Sequence, residues 1–247
     1  MTLQKIGPTT AIGDIVSNYP ATRRVLEERG VDYCCGGART LQDAAAKAGT
    51  DMAALLAALE QAIAATTASG EATKPSWAAE ALTKLVNHIE YTHHSYTREA
   101  LQRIEGLLAK VLRAHGEHHG QMLRELQTLF QALQSDLLPH LQTEEQVLFP
   151  FIRRLEMARL RHDEPPTMHC GTVLNPIRQM ETEHEAAGAA LAQMRALTGG
   201  YAPPADACPT FMALYDALRE LEDDLHEHIH LENNILFPRS IAMAGNA

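Results

Sequence analysis

Asp136-Leu137-Leu138-Pro139-His140-Leu141-Gln142-Thr143-Glu144-Glu145-Gln146-Val147-Leu148-Phe149-Pro150 returns 88 residues later as Asp224-Leu225-His226-Glu227-His228-Ile229-His230-Leu231-Glu232-Asn233-Asn234-Ile235-Leu236-Phe237-Pro238. The shared part is Asp-x3-His-x3-Glu, closed by an apolar pair, Phe and Pro. On a helix, a spacing of four stacks side chains on one face. That face is also apolar: Leu133, Leu137, Val147 and Leu148 flank the first copy, and Leu221, Leu225, Ile235 and Leu236 the second. The histidines and glutamates are therefore expected to point inward. A carboxylate among apolar side chains is costly unless it is paired or bound to metal, and no lysine or arginine is evident on these faces. Two such pairs on facing helices supply four convergent donors for hard or borderline metal ions.

Two further helical patterns bring more imidazole. His184 shares a stripe with Ile177, Met180, Ala187, Leu191 and Met194. The first pattern runs through His93 and His94, and periodicity leaves the choice open: Ile89 and Ala100 favour His93, whereas Leu101, Leu108 and Leu112 favour His94. Four histidines and two glutamates suit a two-metal site in which each glutamate bridges both ions. Ferritin-like carboxylate sites use Glu-x-x-His at spacing three; this set is richer in nitrogen. Asp136 and Asp224, one turn before His140 and His228, are expected to accept their imidazole N–H groups and fix their orientation.

Working outward, the chain reads as all-α. Helical patterns cover about 76–113, 121–161, 170–198 and 208–238, separated by His115-Gly116-Glu117-His118-His119-Gly120, Asp163-Glu164-Pro165-Pro166 and Gly199-Gly200-Tyr201-Ala202-Pro203-Pro204. Short connections between long helices predict an up-down four-helix bundle, with Ser76 capping its first helix and Pro139 kinking the second. Ahead of it, helical stretches over 12–29 and 41–65 flank the turn Asp32-Tyr33-Cys34-Cys35-Gly36-Gly37. The expected division is a small N-terminal helical domain at 1–65, a linker at 66–76 and the bundle at 77–247.

The composition agrees: of 247 residues, 45% are hydrophobic and 21% charged, as in a globular chain. The net charge of −10 falls almost wholly after residue 74 and disfavours nucleic acid as a partner. No segment approaches the roughly 20 apolar residues that span a bilayer, and the N-terminus lacks the apolar run of a signal peptide. Four cysteines, two of them adjacent, form no disulfide framework and point to a reducing, cytoplasmic compartment. Cys34 and Cys35 are read as a vicinal thiol pair for redox or metal handling, against the plainer reading of small residues at a tight turn. Cys170 and Cys208 are read as structural. His115, His118 and His119 are read as loop histidines, with adventitious metal binding as the alternative.

The doubled His-x3-Glu-Glu/Asn-x-x-Leu-Phe-Pro, with two more helix histidines, resembles the hemerythrin-like di-iron bundle. Asp32-Tyr33-Cys34-Cys35-Gly36-Gly37 ahead of it resembles the N-terminal domain of the repair-of-iron-centres family. That resemblance spans nearly the whole chain. It implies metal ligands at His94, His140, Glu144, His184, His228 and Glu232; His94 is preferred because His94-Ser95-Tyr96-Thr97-Arg98-Glu99-Ala100-Leu101 matches the family's His followed by Arg-Glu-x-Leu. Glu183, beside His184, joins Asp136 and Asp224 as an expected holder of imidazole. The implied cofactor is two iron ions with an oxo or hydroxo bridge. The implied function is repair of iron-sulfur clusters after nitrosative or oxidative damage by supplying iron, with Cys34 and Cys35 as redox or transfer thiols. Damaged iron-sulfur proteins are the implied partners, NO or O2 the small ligands, and a homodimer through the N-terminal unit a further expectation. Two other readings of the same site are an NO- or O2-binding buffer or sensor, and a di-iron enzyme acting on small nitrogen oxides.

Overall fold

The computed structural model of the protein describes residues 6–68, 77–168 and 171–245. Ser76, Cys170 and the part of the expected linker from residue 69 on lie outside them. Among the described residues there are helices and two isolated β-bridges, with no strands. The helices are α1 (Ile12–Asn18), α2 (Thr22–Glu28), α3 (Leu41–Ala48), α4 (Met52–Ala68), α5 (Leu82–His88), α6 (Ser95–Thr143), α7 (Phe149–Arg161), α8 (Leu174–Leu197), α9 (Pro209–Leu231) and α10 (Phe237–Gly245). Three π-helical turns join some of them: Ile89–His94, Glu144–Leu148 and Glu232–Leu236.

Helical residues run without a break through α6, yet His94 Nε2 at its start stands 3.4 Å from Glu144 Oε2 at its end. A straight helix of that length would separate them by about 75 Å, so α6 is a hairpin. Arms of equal length place the reversal near residue 119, within the His115 to Gly120 segment read from the sequence as a connection. Pro139 is tolerated inside α6 because it and Ser135, whose carbonyl loses its helical donor, are both exposed and water replaces the missing bond.

The chain divides into two compact units. One holds residues 86–228 and is cored by Leu101, Ile104, Leu108, Leu126, Phe130, Leu191, Phe211 and Leu218. In it the buried Glu222 carboxylate is held by the Arg195 guanidinium. The other unit joins the N-terminal helices to the chain from Ile229 on. Its core is Ile12, Ile15, Val16, Leu26, Leu41, Leu55 and Leu59, with Ile229 among them. Local signals account for its short helices: Thr40 caps α3 by accepting the Asp43 N–H at 3.2 Å, and Gly49 ends it at φ 66°, the left-handed conformation that glycine adopts without strain.

Candidate metal centre

Each π turn sits on an expected ligand: the first ends at His94, the second begins at Glu144, the third at Glu232. A π turn inserts one extra residue into a helix, which shifts the register of everything after it. In the first copy of the repeat the shift puts Leu148 and Phe149 in the core and leaves Val147 47% exposed, a departure from the inward Val147 expected from unbroken 3.6-residue periodicity.

His94, His140, Glu144, His184, His228 and Glu232 are all buried, and both glutamates are 0% exposed. Their donor atoms fall into two groups, each within 4.8 Å: His94, Glu144, His228 and Glu232, and His140, Glu144, His184 and Glu232. α9 continues into its π turn without a break, which fixes Glu232 one turn beyond His228. His94 Nε2 and His228 Nε2 lie 3.2 Å apart, and His140 Nε2 and His184 Nε2 3.1 Å. Glu144 Oε2 is 3.4 Å from both His94 Nε2 and His140 Nε2. Imidazole nitrogens bound about 2.1 Å from one ion stand roughly 3.0–3.4 Å from each other, so the spacing is that of donors around a shared centre. Both glutamates belong to both groups, as a pair of adjacent ions requires. The nitrogen- and carboxylate-rich donor set, buried without lysine or arginine, fits two iron ions.

Carboxylates behind the imidazoles set which nitrogen faces inward. His140 Nδ1 donates to Glu183 Oε2 at 2.6 Å, and Gln179 donates to the other Glu183 oxygen at 2.6 Å. Burial pushes the Glu183 carboxyl up, but hydrogen bonds from Gln179 and His140 outweigh it and hold the group below the usual carboxylate range. His94 Nδ1 donates to Glu145 Oε1 at 2.8 Å, and Arg98 secures the same carboxylate at 2.9 Å. Nδ1 donation leaves Nε2 with its lone pair toward the cluster. The expected roles of Asp136 and Asp224 need correction. Asp136 is exposed, and Glu183 takes the place beside His140. Asp224 accepts from His93 Nδ1 at 2.9 Å instead of from His228, and the His93 ring stacks on His228 at 5.7 Å, interplanar angle 11°. Sequence reasoning gave Glu145 no role. Its signal is the pair Glu144-Glu145, in which adjacent residues on a helix point about 100° apart, one into the cluster and one toward its rim.

The cysteine turn belongs to the other compact unit and is held by residues that follow Glu232. Asn234 Nδ2 donates to the carbonyls of Tyr33 and Cys34 at 3.2 and 3.1 Å, and Asn233 Nδ2 to that of Cys34 at 3.4 Å. Asp32 Oδ1 accepts the Cys35 and Gly36 N–H groups at 3.0 and 3.1 Å and shapes the turn. Asp32, Cys34 and Cys35 bring their donor atoms within 4.8 Å. The Cys35 thiol beside it, then burial, push the Cys34 thiol well above its usual value, so it holds its proton at neutral pH.

Residues 87–240 match the model of the hemerythrin HHE cation binding domain, and residues 9–63 that of a domain of unknown function, DUF542. The chain is 34% identical to an iron-sulfur cluster repair protein, YtfE, from an Enterobacter species over 231 residues, 94% of this chain and 96% of the relative. It is 33% identical, with the same coverage, to the proteins of that name from Salmonella paratyphi B and Salmonella newport.

Proposed function

Because the chain belongs to the repair-of-iron-centres family of hemerythrin-like proteins, we propose that it repairs damaged iron-sulfur clusters by supplying iron from the buried six-residue cluster. The observation that carries this reading is the overlap of the two donor groups through Glu144 and Glu232. His94 and His228 would hold one ion, His140 and His184 the other, with the two glutamates spanning them. Bound there, the iron pair supplies the metal that a damaged cluster lacks. Glu145 and Glu183 keep Nε2 of His94 and His140 aimed inward. The buried Phe149 ring lies 5.4 Å from that of His94 and helps keep bulk water from the cluster.

Asp32, Cys34 and Cys35 are proposed as the group that receives a departing cation. The raised Cys34 thiol suits that role better than it suits nucleophilic attack, since a thiol that keeps its proton attacks poorly, whereas an arriving cation displaces the proton. Damaged iron-sulfur proteins are the proposed clients. The thiols of Cys34 and Cys208 fit a reducing cytoplasm, and no helix among the described residues is long and apolar enough to cross a membrane.

The test incubates the iron-loaded chain with a nitrosylated [4Fe-4S] protein and follows recovery of cluster absorbance and client activity. Recovery is expected with the parent chain and is expected to fail with C34A/C35A, while the iron content of that variant stays unchanged. Recovery at the parent rate in the double variant would sink the role given to the turn. No recovery with the loaded parent would sink the repair reading. Glu183→Gln is expected to weaken iron binding about 10- to 100-fold through loss of the His140 orientation, measured by competition with a chelator of known affinity; the same affinity in the variant would remove Glu183 from the scheme.

A further inference from the structure

His230 is buried and stands two residues from each of the ligands His228 and Glu232, yet it belongs to neither donor group. Its ring faces the cysteine turn instead. Asn234 Nδ2 lies 3.1 Å from His230 Nδ1. An amide nitrogen only donates, so Nδ1 accepts and the ring proton sits on Nε2, which is 3.5 Å from Ser17 Oγ. Ser17 passes its own hydroxyl proton to the Gly13 carbonyl at 2.7 Å. The Tyr33 ring meets the imidazole edge-on at 5.6 Å, and the Tyr33 hydroxyl donates to Glu27 Oε1 at 2.7 Å. Of the two Asn234 N–H groups, one therefore serves His230 and the other is shared by the Tyr33 and Cys34 carbonyls. His230 and Asn234, four positions apart, form a bracket on the backbone of the turn, and every part of it belongs to the compact unit that holds the N-terminal helices.

The bracket is built on the same stretch of chain as a bridging ligand. Glu232 opens the π turn that carries Asn233 and Asn234. A π turn is a rare conformation that persists where its surroundings impose it, and cations bound to Glu232 offset the burial of its carboxylate. Without them the balance moves toward an unbroken α-helix, which takes Glu232 out of register and rotates each later residue by about 100°. Asn233 and Asn234 then leave the carbonyls they hold. We propose that His230 and Asn234 are positioning residues that fix the cysteine turn in register with Glu232, so that loading the metal centre secures the turn and emptying it lets the turn go. The proposal rests on the reading of the six buried residues as the iron site. It gives transfer a direction: the turn is held for an arriving cation while iron is present and is released, cation included, once the centre is empty.

Trapping of the full chain with iodoacetamide tests this, comparing iron-loaded and chelator-stripped forms without oxygen and locating the label by mass spectrometry. Cys34, which is buried, is expected to react at least about fivefold more slowly in the loaded form, as coupled sites typically do. Cys208, in the other compact unit, is expected to react alike in both. At saturating iron, His230→Leu and Asn234→Ala are expected to bring the loaded form up to the stripped rate, whereas His230→Asn, whose Oδ1 accepts in place of Nδ1, keeps the protection. A purely structural role would raise both rates and leave their ratio intact. Equal Cys34 rates in the loaded and stripped parent would overturn the proposal. A ratio that survives both H230L and N234A would overturn it too, by placing the protecting iron on the thiols themselves, and a parallel change at Cys208 would do so by marking a loosening of the whole chain. No client protein enters the measurement, so its failure is distinct from failure of the repair reading.

Discussion

Glu144→Leu is expected to empty the metal site of both ions, because Glu144 belongs to both donor groups, and to raise the stability of the metal-free chain. The two effects have opposite signs for one reason. Glu144 is 0% exposed, so the chain carries the desolvation cost of a buried carboxylate, a cost that bound cations offset. Leucine fills a similar volume without that cost, and replacement of buried ionic groups by apolar ones stabilises by about 1–4 kcal/mol in favourable cases. Iron analysis of the purified variant should fall to background. Its melting temperature should lie above that of the chelator-stripped parent and below that of the iron-loaded parent, which gains the binding free energy. A variant that retained one ion per chain would show that the glutamates do not bridge; a metal-free variant less stable than the stripped parent would show that Glu144 has a structural role of its own.

Gly37→Ala is expected to destabilise the unit that holds the cysteine turn by about 2–3 kcal/mol, a large part of a typical domain's stability. A Cβ at Gly37 would come within 1.9 Å of Asn234 Oδ1, and one at Gly13 within 2.7 Å of the same atom. Asn234 thus lies between two glycines, and its amide holds the Tyr33 and Cys34 carbonyls. An added methyl group forces the asparagine aside and breaks both bonds. Urea unfolding of Gly37→Ala, Asn234→Ala and the double variant makes a cycle. The two substitutions should be strongly non-additive, because removing Asn234 also removes the clash. Additive effects, or a Gly37→Ala chain as stable as the parent, would sink the account.

The two-metal cluster was legible because its signal is a repeat of charged residues on an apolar stripe, a pattern that physics rarely permits without a ligand. The choice between His93 and His94 was not, since the π turn over Ile89–His94 changes the helical period at the point where the period had to decide. Both side chains prove buried, at 2% and 0% exposure, with His94 in the cluster and His93 on Asp224. Asp224 misled for a related reason: spacing along one helix puts it beside His228, but a carboxylate one turn away also reaches a neighbouring helix, and only packing selects the partner. The N-terminal turn, by contrast, was readable as a turn, while its attachment to Asn233 and Asn234 rests on contacts about two hundred residues apart in the chain.

Positions 145 and 146 in one copy of the repeat correspond to 233 and 234 in the other. Glu145 stays within its own bundle and steadies His94, whereas Asn233 and Asn234 have turned to the backbone of Tyr33 and Cys34. The two copies therefore use equivalent positions differently: a flanking residue of one serves the imidazole beside it, and those of the other hold an appendage, the cysteine-bearing turn. The asymmetry gives the appendage an address, since a cysteine-bearing segment grafted at the first copy would meet Glu145 and Gln146, a carboxylate already engaged and a side chain one carbon longer than the asparagine it replaces.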